Sequence, residues 1–287
     1  MQALLALIAR PRTLNAPAWW AVGLFAGVLV PLAFLPAIVS PVGGYTWSLL
    51  VFAVPSLVLA RSLAAHGALA LVQRPVLEAW SLLVPMGVLL NLCFADDFFT
   101  YPNATAVSGL SVPAFDLSGL DLEHPIPLEE FAFYGLGFLA MLLGYAWAST
   151  VLLPRPRSRQ AGKVAWLDAL VVPLALVGAG AAIADGAPSY WAYLCLVPLP
   201  VTLALWPKVK GRLNVPALLV TMAVLVAVSI AWEAVLALPR GWWGYRADAL
   251  MGRAFGGVPL EAVAVWVLAP VTTAVLFESL RLRRSPA

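Results

Sequence analysis

Apolar residues run along this chain in long unbroken blocks, and the polar residues gather in the gaps between them. A helix of about 20 apolar residues crosses the ~30 Å hydrocarbon layer of a bilayer. Blocks at 18–38, 48–65, 76–94, 128–153, 166–183, 190–206, 215–238 and 260–280 approach or exceed that length and predict about eight spans. Lipid offers no partner for free backbone N–H and C=O groups, so each span is expected to be helical. Pro31, Pro55, Pro85, Pro173 and Pro198 fall inside these blocks and predict kinks. The fold class expected is therefore all-α, a polytopic transmembrane helical bundle.

Composition strengthens that reading: 62% of residues are hydrophobic and only 11% charged, far from a soluble balance. The opening "MQALLALIARPR" is too short to span and carries no small-residue cleavage pattern, so no signal peptide is expected. Cys93 and Cys195 stand apart with no paired spacing, which points to neither a disulfide framework nor a thiolate metal site. His66 and His124 are the only histidines, too few for imidazole-rich metal chemistry.

Charge then orients the chain. With the N-terminus in the cytoplasm, Arg10, Arg12, Arg61, Arg74, Arg155, Arg157, Arg159, Lys163, Lys208, Lys210, Arg212, Arg281, Arg283 and Arg284 fall at the inner face. Arg240, Arg246 and Arg253 remain outside. This asymmetry follows the positive-inside rule and predicts both termini in the cytoplasm, with the cell (inner) membrane as the expected location. The mild basicity is an orientation signal and gives a nucleic-acid partner no support. Most acids fall on the outer face, and Glu129, Glu130, Glu233 and Glu261 abut or enter apolar helices.

The outer loops carry a repeat. "ADDFFTYPN…EHPIPLEEFAFY" aligns with "PRGWWGYRA…FGGVPLEAVAVW": Phe99-Thr100-Tyr101 matches Trp243-Gly244-Tyr245, and Pro127-Leu128-Glu129-Glu130 matches Pro259-Leu260-Glu261-Ala262. Each copy begins at the outer end of one span and finishes at the outer start of the next, which predicts two pseudo-symmetric half-sites meeting in one cavity. An aromatic-x-Tyr element followed by a helix-opening Pro-x-Glu-Glu, present twice, resembles the integral-membrane, non-flavin lycopene cyclases of carotenoid biosynthesis in their fused two-repeat form. No GxGxxG occurs to suggest the flavin-dependent type. The resemblance implies an organisation of 1–47 as an N-terminal segment with an extra span, 48–153 as the first repeat, 154–188 as a basic loop and linking helix, and 189–287 as the second repeat. It covers Pro127, Glu129, Glu130, Pro259 and Glu261, while Ala262 stands where the family pattern has a second acid.

The activity this implies is redox-neutral cyclisation of a polyprenyl end, lycopene first among substrates, with membrane lipid and the lipophilic chain as partners and no cofactor or metal. Such a reaction needs an acid that protonates a carbon–carbon double bond, and a carboxyl group serves only while apolar surroundings keep its proton on. A helix N-terminus opposes this by roughly 0.3–1 kcal/mol, less than desolvation supplies in a dry site. One of Glu129 and Glu130 is expected to donate the proton, and its neighbour or Glu261 to accept a hydrogen bond and help remove the ring proton. Glu233 is expected to assist. Phe99, Tyr101, Pro127, Tyr134, Trp243, Tyr245 and Pro259 are the candidate substrate-binding residues, the aromatic faces stabilising a cation.

Other readings of the same residues stay open. Pro followed by Glu is also an ordinary helix start, and Trp and Tyr also collect at lipid headgroups. "NLCFADDFF" suggests a Mg-dependent prenyltransferase. Intramembrane acids and repeated halves also mark proton-coupled transporters. A terpenoid cyclase acting on a shorter or aromatic-linked prenyl chain uses the same chemistry.

Overall fold

A computed structural model describes residues 43–113, 125–154, 190–196 and 198–283. The spans expected at 18–38 and 166–183 lie outside the described residues, as do Pro31, Pro173 and His124. The described helices are α1 (Gly44–Ser48), α2 (Leu50–Ala65), α3 (Leu69–Phe98), α4 (Leu128–Trp147), α5 (Tyr190–Leu196), α6 (Pro198–Val209), α7 (Val215–Trp232) and α8 (Leu260–Leu282). Among the described residues, five helical stretches are long and apolar enough to cross a membrane: Gly44–Ala65, Leu128–Leu152, Tyr190–Val209, Val215–Ala237 and Leu260–Leu282. The span expected at 76–94 is the middle of the longer α3, which holds Pro75 and Pro85.

Two helices sit at the centre. α4 packs on α2, α3 and α7, α8 packs on α6, α7 and α3, and the two touch each other. Both open immediately after a proline, Pro127 and Pro259, held at nearly the same backbone angles (φ −58° and −59°). The ring fixes φ near the value a helix start needs and removes an N–H that has no intrahelical partner there. Both α4 and α7 end in a π-helical turn, Ala148–Leu152 and Glu233–Ala237, so Glu233 is the first residue of a widened turn.

The purely helical expectation needs a correction in the loops. Among the described residues, three short antiparallel ladders occur there: β1 (Phe99–Thr100) with β4 (Gly244–Tyr245), β2 (Ser111–Pro113) with β3 (Pro125–Pro127), and β5 (Ala254–Phe255) with β6 (Val258–Pro259). Strand pairing gives this loop backbone partners for its own N–H and C=O groups. The β1–β4 register pairs Phe99 with Tyr245 and Thr100 with Gly244, tying the two aromatic-x-Tyr elements together. Gly244 lets the two strands approach closely, since a Cβ there would stand 3.1 Å from the Thr100 hydroxyl oxygen.

Apolar side chains form two main clusters. One fills the end away from these ladders, with Leu63, Val72, Leu142, Leu213 and Phe277 fully sealed. The other lies under the ladders and is aromatic: Tyr45, Phe52, Trp232, Trp242, Trp243 and Trp266. The span expected to start at 48 begins at Gly44, and Tyr45 at its start is buried in that aromatic cluster.

Candidate functional site

The repeated Pro-Leu-Glu places its first glutamate identically in both copies. The Glu129 Oε1 accepts the Ser108 backbone N–H at 2.6 Å and the Thr46 hydroxyl at 2.5 Å. The Glu261 Oε1 accepts the Met251 backbone N–H at 2.7 Å. In each case the N–H of the preceding leucine donates to the loop two residues further on, Leu128 to the Leu110 carbonyl and Leu260 to the Arg253 carbonyl. Glu129 and Glu261 therefore fasten the outer loops to the starts of α4 and α8, and neither side chain lines the cavity described next.

That cavity lies between α3, α4, α5, α7 and α8 and holds about 890 Å³ of empty space, its mouth included. Among the described residues, Glu130 and Glu233 are its two carboxyl groups, and no Lys, Arg or His lines it. Glu130 is 6% exposed and Glu233 1%. Successive helical residues point about 100° apart, which is how Glu129 reaches the loop while Glu130 faces inward.

Each carboxyl group is held by aromatic donors. The Tyr45 hydroxyl donates to Glu130 Oε1 at 2.5 Å. Glu233 is gripped on both oxygens, by the Trp266 indole N–H at 2.8 Å on Oε1 and the Tyr245 hydroxyl at 3.2 Å on Oε2. Burial first, and then the neighbouring Glu233 charge, pushes the Tyr245 phenol well above its ordinary range, so it stays a donor.

The walls are aromatic faces. Phe133 stacks on Trp232 at 5.7 Å and meets Trp266 edge-on at 5.8 Å. Trp243 meets Tyr245 at 4.9 Å and Phe99 at 5.9 Å. On the far side Phe52 stacks on Trp266 with ring planes 9° apart, closing the aromatic layer toward α2.

No family model, curated protein or solved structure matches this chain.

Of the residues singled out from sequence, Glu130, Glu233, Phe99, Tyr134, Trp243 and Tyr245 line the cavity together. Tyr101 packs against the aromatic cluster without lining it. Pro127 and Pro259 act as helix caps. Tyr45, Phe133, Tyr190, Trp232 and Trp266 line it without having been singled out. A signal existed for Trp266, which follows Glu261 by the same five positions that separate Tyr134 from Glu129. Among the described residues, no group of three His, Cys, Asp or Glu side chains is placed to hold a metal ion.

Gly87 on α3 sets one wall. A Cβ there would stand 2.6 Å from the Tyr134 ring. Gly87→Ala is expected to push that ring toward the cavity and lower stability by about 1–2 kcal/mol, overpacking of ~1–3 kcal/mol being partly offset by better helix propensity. Thermal unfolding in detergent checks this, and an unchanged midpoint would contradict it.

Proposed function

We propose that this protein is a membrane cyclase that protonates a polyprenyl end and closes a ring without redox change, as the resemblance to the non-flavin lycopene cyclases implies, with lycopene the first substrate to try. The observation carrying this reading is an aromatic-walled cavity lined, among the described residues, by two buried acids and no cation. An olefin-protonating acid must keep its proton until the substrate arrives, and aromatic faces must then stabilise the cation without supplying water to quench it.

In this mechanism Glu130 is the acid. Its Oε1 accepts one hydrogen bond and its other oxygen is left for the substrate. It transfers a proton to one carbon of the terminal double bond, the second double bond attacks the cation to form the ring C–C bond, and a proton leaves a carbon beside the new cationic centre. Glu233, with both oxygens accepting hydrogen bonds, is equipped as the carboxylate that faces the cation and takes that proton. Atoms and electrons balance, and the product is an isomer of the substrate.

The two halves are read as pseudo-symmetric repeats about an axis through the β1–β4 pair. The matched loop clamps of Glu129 and Glu261 support this, as does a register that pairs Thr100 with its counterpart Gly244. Ala262 at the position of Glu130 leaves the halves unequal, and Glu233 from α7 supplies the second acid. About eight spans, basic helix ends facing the cytoplasm and residence in the inner membrane complete the proposal.

Expression of the full chain in a lycopene-accumulating host is expected to convert the red pigment to a ringed carotene of equal mass. Unchanged lycopene, with the protein present in the membrane, would remove lycopene as the substrate.

A further inference from the structure

Five of the chain's seven tyrosines, Tyr45, Tyr134, Tyr190, Tyr193 and Tyr245, line this one cavity. Tyr45 and Tyr245 are committed to Glu130 and Glu233. Tyr134 and Tyr190 are different: among the described residues neither hydroxyl has a hydrogen-bond partner, and neither is among the sealed polar atoms left unpartnered. Both residues line the cavity, and neither hydroxyl is sealed off by protein atoms. Tyr190 is only 6% exposed, and its ring is fixed by stacking on Tyr193 at 5.7 Å and by contacts with Phe98 and Phe99 at 5.2 and 5.6 Å. The Tyr134 ring is seated between Phe133, Phe138 and the bare Gly87 backbone.

A site built only for hydrocarbon has no use for these hydroxyls. Phenylalanine would give the same wall without an unpaired polar group, and without lone pairs that can trap a cation. Resting on the cyclase reading above, we propose that the cavity prefers a prenyl chain bearing an oxygen on its cyclising unit, whose lone pairs accept hydrogen bonds from the hydroxyls of Tyr134 and Tyr190. The hydrocarbon end remains a substrate, and the oxygenated end is the better one.

The test uses membranes containing the full chain, offered a mixture of lycopene and its derivative hydroxylated on a methylene carbon between the two reacting double bonds. That position leaves both double bonds intact. The hydroxylated chain is expected to win by about tenfold or more in kcat/KM, since a site built to bond an oxygen discriminates strongly against an analogue lacking it. Tyr134→Phe and Tyr190→Phe are each expected to lower that ratio, and the double substitution to bring it to about one. A wild-type ratio near one, or a ratio that neither substitution moves, overturns the proposal. Quenching of intrinsic tryptophan fluorescence in the purified protein gives the same comparison as a ratio of Kd values. If neither compound is cyclised, a binding preference erased by the Phe variants upholds oxygen recognition and sinks the cyclase reading. Equal binding of both compounds sinks the oxygen proposal.

Discussion

Glu130→Gln is expected to lower product formation by roughly 10²–10⁴-fold, the range that a positioned proton donor contributes. The amide keeps the size of the side chain and an oxygen that can still accept the Tyr45 hydroxyl, which now reaches Glu130 at 2.5 Å, so the fold is expected to survive. Only the transferable proton is lost. Glu129→Gln is the informative contrast, because Glu129 accepts the Ser108 N–H and the Thr46 hydroxyl, outside the cavity lining. There the amide oxygen still fastens the loop, and turnover is expected to stay within about tenfold of wild type while unfolding comes earlier by ~1 kcal/mol for the weakened charge-assisted bonds. Pigment chromatography of membranes at matched protein levels separates the two. A Glu130→Gln protein retaining a third or more of wild-type turnover would remove Glu130 as the acid, and loss confined to Glu129→Gln would transfer that role across the helix start.

Arg281→Met is expected to destabilise the protein by about 3 kcal/mol without bearing on the chemistry. At the end of α8 away from the cavity, Glu278 is buried and accepts hydrogen bonds from Arg281 Nη1 and the Tyr145 hydroxyl, both at 3.1 Å. Tyr145 in turn accepts the Asn214 backbone N–H at 2.9 Å, and Asn214 caps α7 and donates to the Leu153 carbonyl at 2.7 Å. This network joins α8, α4 and the start of α7. Removing Arg281 leaves a buried carboxylate without its hydrogen-bonded cation, with only the more distant charge of Arg212 acting on it, and breaking a fully buried pair costs ~3–5 kcal/mol. The lower end applies because the Arg281 side chain is 27% exposed. Met retains the apolar contact with Phe277, over whose ring the guanidinium sits at 5.5 Å. Thermal unfolding in lipid nanodiscs reads the loss, and the double substitution Arg281→Met with Glu278→Gln is expected to recover most of it. An unaltered single variant would show that the pair contributes nothing to stability.

The loop clamps illustrate how a motif can be legible while its division of labour is not. "PLEE" and "PLEA" announce helix starts with acids in the first turn, and the structure has those helix starts. Whether the first or second acid faces the cavity depends on the angle at which α4 enters the bundle, and that is set by its packing on α2, α3 and α8. Glu233 shows the same limit from the other side. Its donors, Trp266 and Tyr245, lie 33 and 12 positions away, on a different helix and in a loop.

The amino-acid order alone determined the apolar stretches that become Gly44–Ala65, Leu128–Leu152, Tyr190–Val209, Val215–Ala237 and Leu260–Leu282, each within a few residues of where the pattern put it. Membrane spanning is a local property: a run of about 20 side chains either tolerates hydrocarbon or does not, whatever lies elsewhere in the chain. Tertiary structure decided which carboxyls meet in one cavity, that Tyr45 reaches Glu130 from the start of the first described helix, and that Phe52 closes one side while Tyr190 borders the other. Those are matters of direction and distance between helices far apart in the chain, fixed by how side chains interlock across them.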